Sequence, residues 1–150
     1  MPECECLTFQ DPIRSYDDVE RRCANATTIE RWLDAVASDK RWMQLLRCRA
    51  CGQSWVAEYP FSEMHGGGPP CLYVVTPVLA EGWPASIAPI AARLRSRHDD
   101  QTFIDALGPE VGPNACLDHR CDRLAVRLSA YCSYHHFLQV RKRVPFSFEA

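Results

Sequence analysis

Nine cysteines and five histidines in 150 residues constrain this chain more than any apolar pattern does. Seven of the cysteines and one histidine fall in short pairs: Cys4-x-Cys6, Cys48-x2-Cys51, Cys116-x4-Cys121 and Cys132-x2-His135. Thiolates and imidazoles at such spacings are the usual donors of tetrahedral zinc. A disulfide framework is the alternative. Against it, the count is odd, and Met-Pro-Glu-Cys-Glu-Cys has neither the basic segment nor the apolar core of an export signal. A reducing, cytoplasmic setting is therefore expected, where thiols persist. No apolar run reaches the roughly 18 residues of a membrane span, so no membrane partner is expected.

Two ligand sets follow, hence two structural zinc ions. Near the end, Cys116, Cys121, Cys132 and a histidine supply four N/S donors. Cys132-x2-His135 favours His135, with His136 as runner-up and His119 within reach. About twenty residues bury little core, so metal would supply most of the folding free energy there, roughly 10–16 kcal/mol in zinc-finger peptides. At the front, Cys4, Cys6, Cys48 and Cys51 form the second set, and Cys23 or Cys71 could replace one member. Cys48-Arg-Ala-Cys51-Gly52 has the form of a zinc knuckle, in which backbone amides face the sulfurs and Gly52 takes a turn conformation that a side chain disfavours. A thioredoxin-like redox role for Cys48 and Cys51 fits poorly, because that motif opens a helix and a second strand is expected here.

With 47% hydrophobic and 24% charged residues, the chain has the composition of a folded domain. Residues 1–26 read as irregular, broken by Pro2 and Pro12. Thr27 and Glu30 fit a capping box, followed by a helix to about Ser38 with Ile29, Trp32, Leu33 and Val36 on one face. Residues 42–46 read as a strand, Trp55, Val56 and Tyr59 as its return, 60–70 as a loop, and 71–76 as the strongest strand. Helices are expected over 86–97, capped by Ser86, and over 100–107. The double Gly-Pro segment 108–114 reads as a linker. The expected architecture is α+β: a small antiparallel sheet with packed helices and a zinc knuckle over 1–108, then a zinc-stabilised module over 114–150.

The string from Glu58 to Pro70 (EYPFSEMHGGGPP) is the most distinctive in the chain. His65-Gly-Gly-Gly68 matches the oxyanion loop of esterases, but the Gly-x-Ser-x-Gly elbow is missing. The string resembles a family of bacterial immunity proteins that neutralise polymorphic toxins. The matching positions are Trp42, Leu45, Trp55, Tyr59, Pro60, Ser62, Glu63, His65, the three glycines, Pro69, Pro70 and Leu72. This resemblance covers about residues 40–80. It implies a binding protein whose partner is a cognate toxin, although the knuckle and the Cys/His tail depart from the pattern. Tyr59, Phe61, Glu63, Met64 and His65 are the expected partner contacts, since a long loop held by strands presents recognition groups. The plain structural reading is a hairpin loop with Glu63 or His65 bonded to backbone amides.

A second class is a zinc-dependent nucleic-acid-binding or regulatory protein, suggested by Arg120, Arg123, Arg127 and Arg141-Lys142-Arg143. The net charge of −2, from 17 basic and 19 acidic residues, argues against a wholly basic surface. An enzyme is not expected: the sequence has no H-E-x-x-H, phosphate loop or deaminase signature, and both zinc sets are closed by four protein groups.

Overall fold

A computed structural model describes residues 4–148; Pro2 and the last two residues of the tail lie outside them. The architecture is α+β. The described residues hold five α-helices and a four-stranded antiparallel meander ordered β1-β2-β3-β4. By internal contacts the chain divides into two units, residues 1–95 and 96–150, with the division inside a helix.

In the first unit, the sheet comprises β1 (Leu33–Ser38), β2 (Gln44–Cys48), β3 (Ser54–Glu58) and β4 (Cys71–Val74). Successive residues face opposite sides of a strand, and here both sides are covered. Leu45, Val56 and Tyr73 pack with Ile13, Val19, Met43, Ile87 and Ala91. Leu46, Trp55, Ala57 and Leu72 pack with Cys6, Ala26, Ile29 and Cys48. Trp55 against Leu46, and Val56 between Leu45 and Tyr73, set the register. Burying each such large side chain stabilises by roughly 1.5–3 kcal/mol.

Helix α1 (Tyr16–Ala24) starts at a capping box made by Ser15 and Asp18 and supplies Val19 and Cys23 to the core. Its Arg22 is buried too. It donates to the carbonyls of Asp11 (2.7 Å) and Phe9 (3.1 Å) and so fastens the preceding chain to the helix. Helix α2 is short (Ala26–Glu30), and α3 (Pro77–Glu81) is capped by Thr76 with proline in its first turn. Helix α4 (Ala91–Ala106) receives its N-terminal cap from far away in sequence. The buried Glu58 carboxylate accepts from the amides of Ile90, Ala91 and Ala92 at 2.7, 2.9 and 3.1 Å, and from the Tyr73 hydroxyl at 2.5 Å. Free amides and the positive helix end both favour a carboxylate there.

The second unit contains the rest of α4, a largely irregular stretch with one bridge between Ala115 and Leu124, and α5 (Ser133–Arg141). Phe137 is fully buried and meets the Phe103 ring edge-on at 5.5 Å. Asp100 holds Arg143 through two bonds of 2.7 and 2.8 Å and accepts from the Phe146 amide at 2.8 Å.

Three expectations are corrected. The helix expected to run from Thr27 to about Ser38 stops at Glu30, and 33–38 is β1, paired to β2 from Leu33–Cys48 to Ser38–Gln44. Ile29 and Leu33 still serve one cluster, while Val36 lies at a bulge, half exposed. Helical spacing is equally satisfied by a turn followed by a strand, and pairing with β2 decides between them. The region 1–26 is not irregular throughout, since α1 occupies it. The two helices expected over 86–97 and 100–107 are one, α4; Ser86 does not cap it, and Asp100 sits inside it as an anchor for Arg143.

Candidate functional site

Two groups of side chains have the geometry of metal centres. In each, one ligand atom per residue lies within 4.8 Å of all the others: Cys4, Cys6, Cys48 and Cys51 in one, Cys116, Cys121, Cys132 and His135 in the other. Either group can hold a metal ion.

The first group forms where the β2–β3 turn meets the N-terminal segment. Gly52 follows Cys51 with φ +76°, a left-handed conformation that glycine adopts without strain, and its amide bonds the Cys48 carbonyl at 2.9 Å. That turn aims the amides of Cys51 and Ala50 at the Cys48 sulfur. Burial opposes ionisation of Cys48, but these amides and the neighbouring Cys6 and Cys51 thiols overcome it and bring its pKa down to about 7. Burial dominates at Cys6 and pushes its thiol up. The buried Trp55 indole N–H has no oxygen or nitrogen partner and faces the Cys6 sulfur, where it favours the thiolate. An N–H aimed at a ligand sulfur is the outer support that a metal-bound thiolate takes. Cys23 and Cys71 lie in the other core of the sheet and do not join this group.

The second group draws on two local structures. Cys116 and Cys121 flank a turn, and Cys132 is the N-cap of α5, accepting from the His135 amide at 3.5 Å. The Cys121–Cys132 sulfur separation is 3.8 Å, and His135 Nδ1 lies 3.3 Å from both Cys116 and Cys132. Metal–sulfur bonds of about 2.3 Å at tetrahedral angles put sulfurs about 3.8 Å apart, so the donors fit a tetrahedron. Burial opposes ionisation of Cys116, yet the Cys132 and Asp118 amides with the Cys132 and His135 side chains bring it down to about 7. Cys132, fully buried, is pushed up to about 11. His135 Nε2 faces the Asp118 carboxylate at 3.5 Å, a partner that orients a ligating imidazole. His136 is turned away: its Nδ1 lies 2.8 Å from the Ser129 hydroxyl.

Asp118 and a second support, Glu110, escaped the sequence reading. Glu110 accepts from the Ser133 amide (3.0 Å) and hydroxyl (2.8 Å) and from Arg123, and so ties the α5 start to the ligand loop. Asp118 stands two residues after Cys116 and could have been suspected. Glu110, in the supposed linker, carried no local signal.

In the 58–70 loop, the five expected contact residues occupy different settings. Phe61 is half-buried against the first core, with the Arg95 guanidinium 4.5 Å above its ring. Gly68, at φ +66°, runs so close to it that an added Cβ would sit 2.9 Å from the Phe61 Cβ. Glu63 pairs with Arg95, which also donates to the Pro60 carbonyl at 2.6 Å; its carboxyl is held below the usual range by that arginine. Tyr59 is half-buried, with its hydroxyl 3.5 Å from the Gln44 side chain. Met64 and His65 are exposed at the crest.

The first unit is thus a sheet with a strapped, glycine-rich loop and a metal-ready knuckle. Residues 16–76 of the chain, under half of it, match the family model of Immunity protein 27. The matched stretch takes in α1, α2, the whole sheet and the loop, and leaves out Cys4, Cys6, α4 and the Cys/His tail. No curated protein and no solved structure matches the chain. Among the described residues, no helix is long and apolar enough to cross a membrane.

Proposed function

We propose that this chain is a cytoplasmic immunity protein that neutralises a cognate toxin by direct binding and is braced by two structural zinc ions. The observation that carries this reading is the match to Immunity protein 27, which spans every strand of the sheet together with the loop. Tyr59, Phe61, Glu63, Met64 and His65 form the contact region in this reading, with Phe61 and Glu63 also tying the loop to α4 through Arg95. Cys4, Cys6, Cys48 and Cys51 hold one zinc. Cys116, Cys121, Cys132 and His135 hold the other, and His136, bonded to Ser129, stands as the reserve donor. Soft sulfur-rich donors at tetrahedral spacing favour zinc, and four protein ligands leave no open position for catalysis.

The nucleic-acid reading draws less support. Of its basic residues, Arg123 is engaged by Glu110, Arg143 by Asp100, and Arg141 lies 4.9 Å over the Phe103 ring.

The test is co-expression with the toxin domain encoded beside this chain's gene. Restored growth and a stable complex support the reading; continued killing with abundant folded protein overturns it. Elemental analysis of protein purified without chelator should return two zinc equivalents, and a value near zero would remove both metal sites.

A further inference from the structure

The tip of the β1–β2 hairpin carries a residue that the fold does not explain. The connection closes through Asp39 N–H to the Met43 carbonyl (3.0 Å) and Trp42 N–H to the Asp39 carbonyl (3.3 Å). Trp42 takes the left-handed position of this turn, at φ +63°. Glycine or asparagine suits such a position; a bulky residue is strained there. An indole could offset the strain by burial, but Trp42 is 75% exposed. The chain therefore places one of its four tryptophans where it strains the turn and returns nothing to the core. Strain of this kind, observed rather than assumed, points to a role outside folding.

The surroundings say what the role is. Trp42, Tyr59 and Gly67 are shared walls of two adjoining open clefts of about 480 and 270 Å³. Gly67 leaves its wall bare, since nothing lies within 4 Å of where its Cβ would be. The charges are unbalanced. The Asp39 carboxylate is used up by the Arg41 guanidinium (2.6 Å) and the Arg41 and Met43 amides, and Arg41 is held further by the Ile87 and Pro84 carbonyls. Lys40, also on the larger cleft, has no ion pair among the described residues. An exposed indole beside a tyrosine ring with one uncompensated ammonium suits an apolar side chain next to a carboxylate.

We infer that the Trp42–Tyr59 cleft seats the anchoring segment of the toxin, a protruding loop with an acidic side chain beside an apolar one. This rests on the immunity reading above and gives that reading its anchor, which lies beside the loop crest rather than on it. Aromatic anchors of this sort carry much of an interface's energy.

The experiment uses the full chain and an inactivated form of the toxin domain encoded beside its gene. Trp42→Gly removes the anchor and relaxes the turn, so its Tm should equal or exceed that of the parent while affinity falls about 30-fold or more. Lys40→Glu should lose about tenfold, mostly in the association rate and less so at high salt. Val78→Ala, at another exposed apolar position in the first unit, should bind like the parent. If the parent binds and both cleft variants bind as well, the inference is overturned and the immunity reading stands. A lowered Tm for Trp42→Gly, with binding lost only in proportion, makes Trp42 structural and also overturns it. If the parent neither binds nor protects, the immunity reading itself falls.

Discussion

The two metal groups share a donor chemistry but serve regions of different construction. Around the first, the sheet has a sizeable apolar core, in which Trp55, Leu46, Leu72 and Ile29 are buried together with the ligand residues Cys6 and Cys48. A metal bound there would fasten the N-terminal segment onto a sheet that is already well packed. Around the second, the segment between α4 and α5 buries little; Leu117, Leu124 and Leu128 are 66, 45 and 95% exposed, and Val126 and Ala125 are its main buried apolar residues. A metal bound there would stand in for a core. One tetrahedron can be a clasp or a keystone, and the surrounding apolar burial decides which.

The sharpest break of this comparison is Cys132→Ser. It removes a ligand that is also the α5 N-cap. We expect one zinc equivalent to be lost and residues 109–132 to become freely cleaved, forfeiting most of the roughly 10–16 kcal/mol that metal contributes to such modules. Residues 1–95 should stay resistant. If they unfold as well, the second unit is no separate module, and the proposed boundary between 1–108 and 114–150 fails with it.

Asp100→Asn probes what the second unit has besides metal. Asp100 is buried, and the Arg143 pair with the Phe146 amide outweighs burial and holds its pKa below the ordinary value. Breaking a pair with one buried member should destabilise by about 2–3 kcal/mol. The sign with pH follows from the depressed folded pKa. The stabilisation is complete above the unfolded value near 4 and is lost as pH falls through the folded value. The variant should therefore melt lower at pH 7 and lose less than the parent on acidification below pH 4. Equal Tm at pH 7 would leave the metal alone holding that unit.

Cys6→Ser is the matching cut in the first unit. Zinc content should drop by one and the segment around the 3₁₀ turn Cys6–Phe9 should fray, with a cost of about 2 kcal/mol and the sheet retained. Loss of the sheet would mean that the first metal is also a keystone. Acid should empty both groups together, because protons compete for the thiolates. A bound metal holds its thiols deprotonated, so zinc retained at pH 8 should be released only on acidification well below neutrality, from both groups over the same range.

What could be read from the sequence was mostly local. Ligand pairs two to five residues apart sit on single turns, so their spacing pointed to the residues that come together in two groups able to hold a metal, and Cys132-x2-His135 favoured His135 over its runner-up His136. Strand β4 followed from an aromatic and β-branched run, and β2 and β3 from short apolar segments on either side of the Cys48–Cys51 turn. Contacts across long separations were not legible. Nothing near residue 91 announces that Glu58 caps α4, and nothing in 33–38 shows that β2 will claim it as a strand. Ser15 with Asp18 is a second capping signal in the sequence beside Thr27 with Glu30. The earlier box is the one that forms, with the Asp18 carboxylate taking the amides of both Arg14 and Ser15 at 2.9 Å; the expected Thr27 box does not, since α2 starts from Asn25 with no side-chain cap bond and Thr27 lies inside the helix.

The smallest effect is expected in the loop, where the two kinds of bracing can be compared with no metal at all. Glu63 pairs with Arg95, but its side chain is 59% exposed, and solvent-exposed pairs contribute little to stability. Glu63→Ala should leave Tm within a degree or two of the parent. Phe61→Ala should lower it clearly, through a loss of stability of about 2 kcal/mol, because Phe61 packs on the core under Arg95 and against Gly68. The pair of variants therefore separates contact from support. If Glu63→Ala binds toxin weakly with unchanged Tm, Glu63 reaches the partner and the interface extends from the Trp42 cleft across the loop. If it binds like the parent, Glu63 does no more than hold the loop to Arg95. A large drop in Tm for Glu63→Ala would contradict both outcomes: the loop would then be strapped by charge rather than packing, and its bracing would resemble the second unit more than the first.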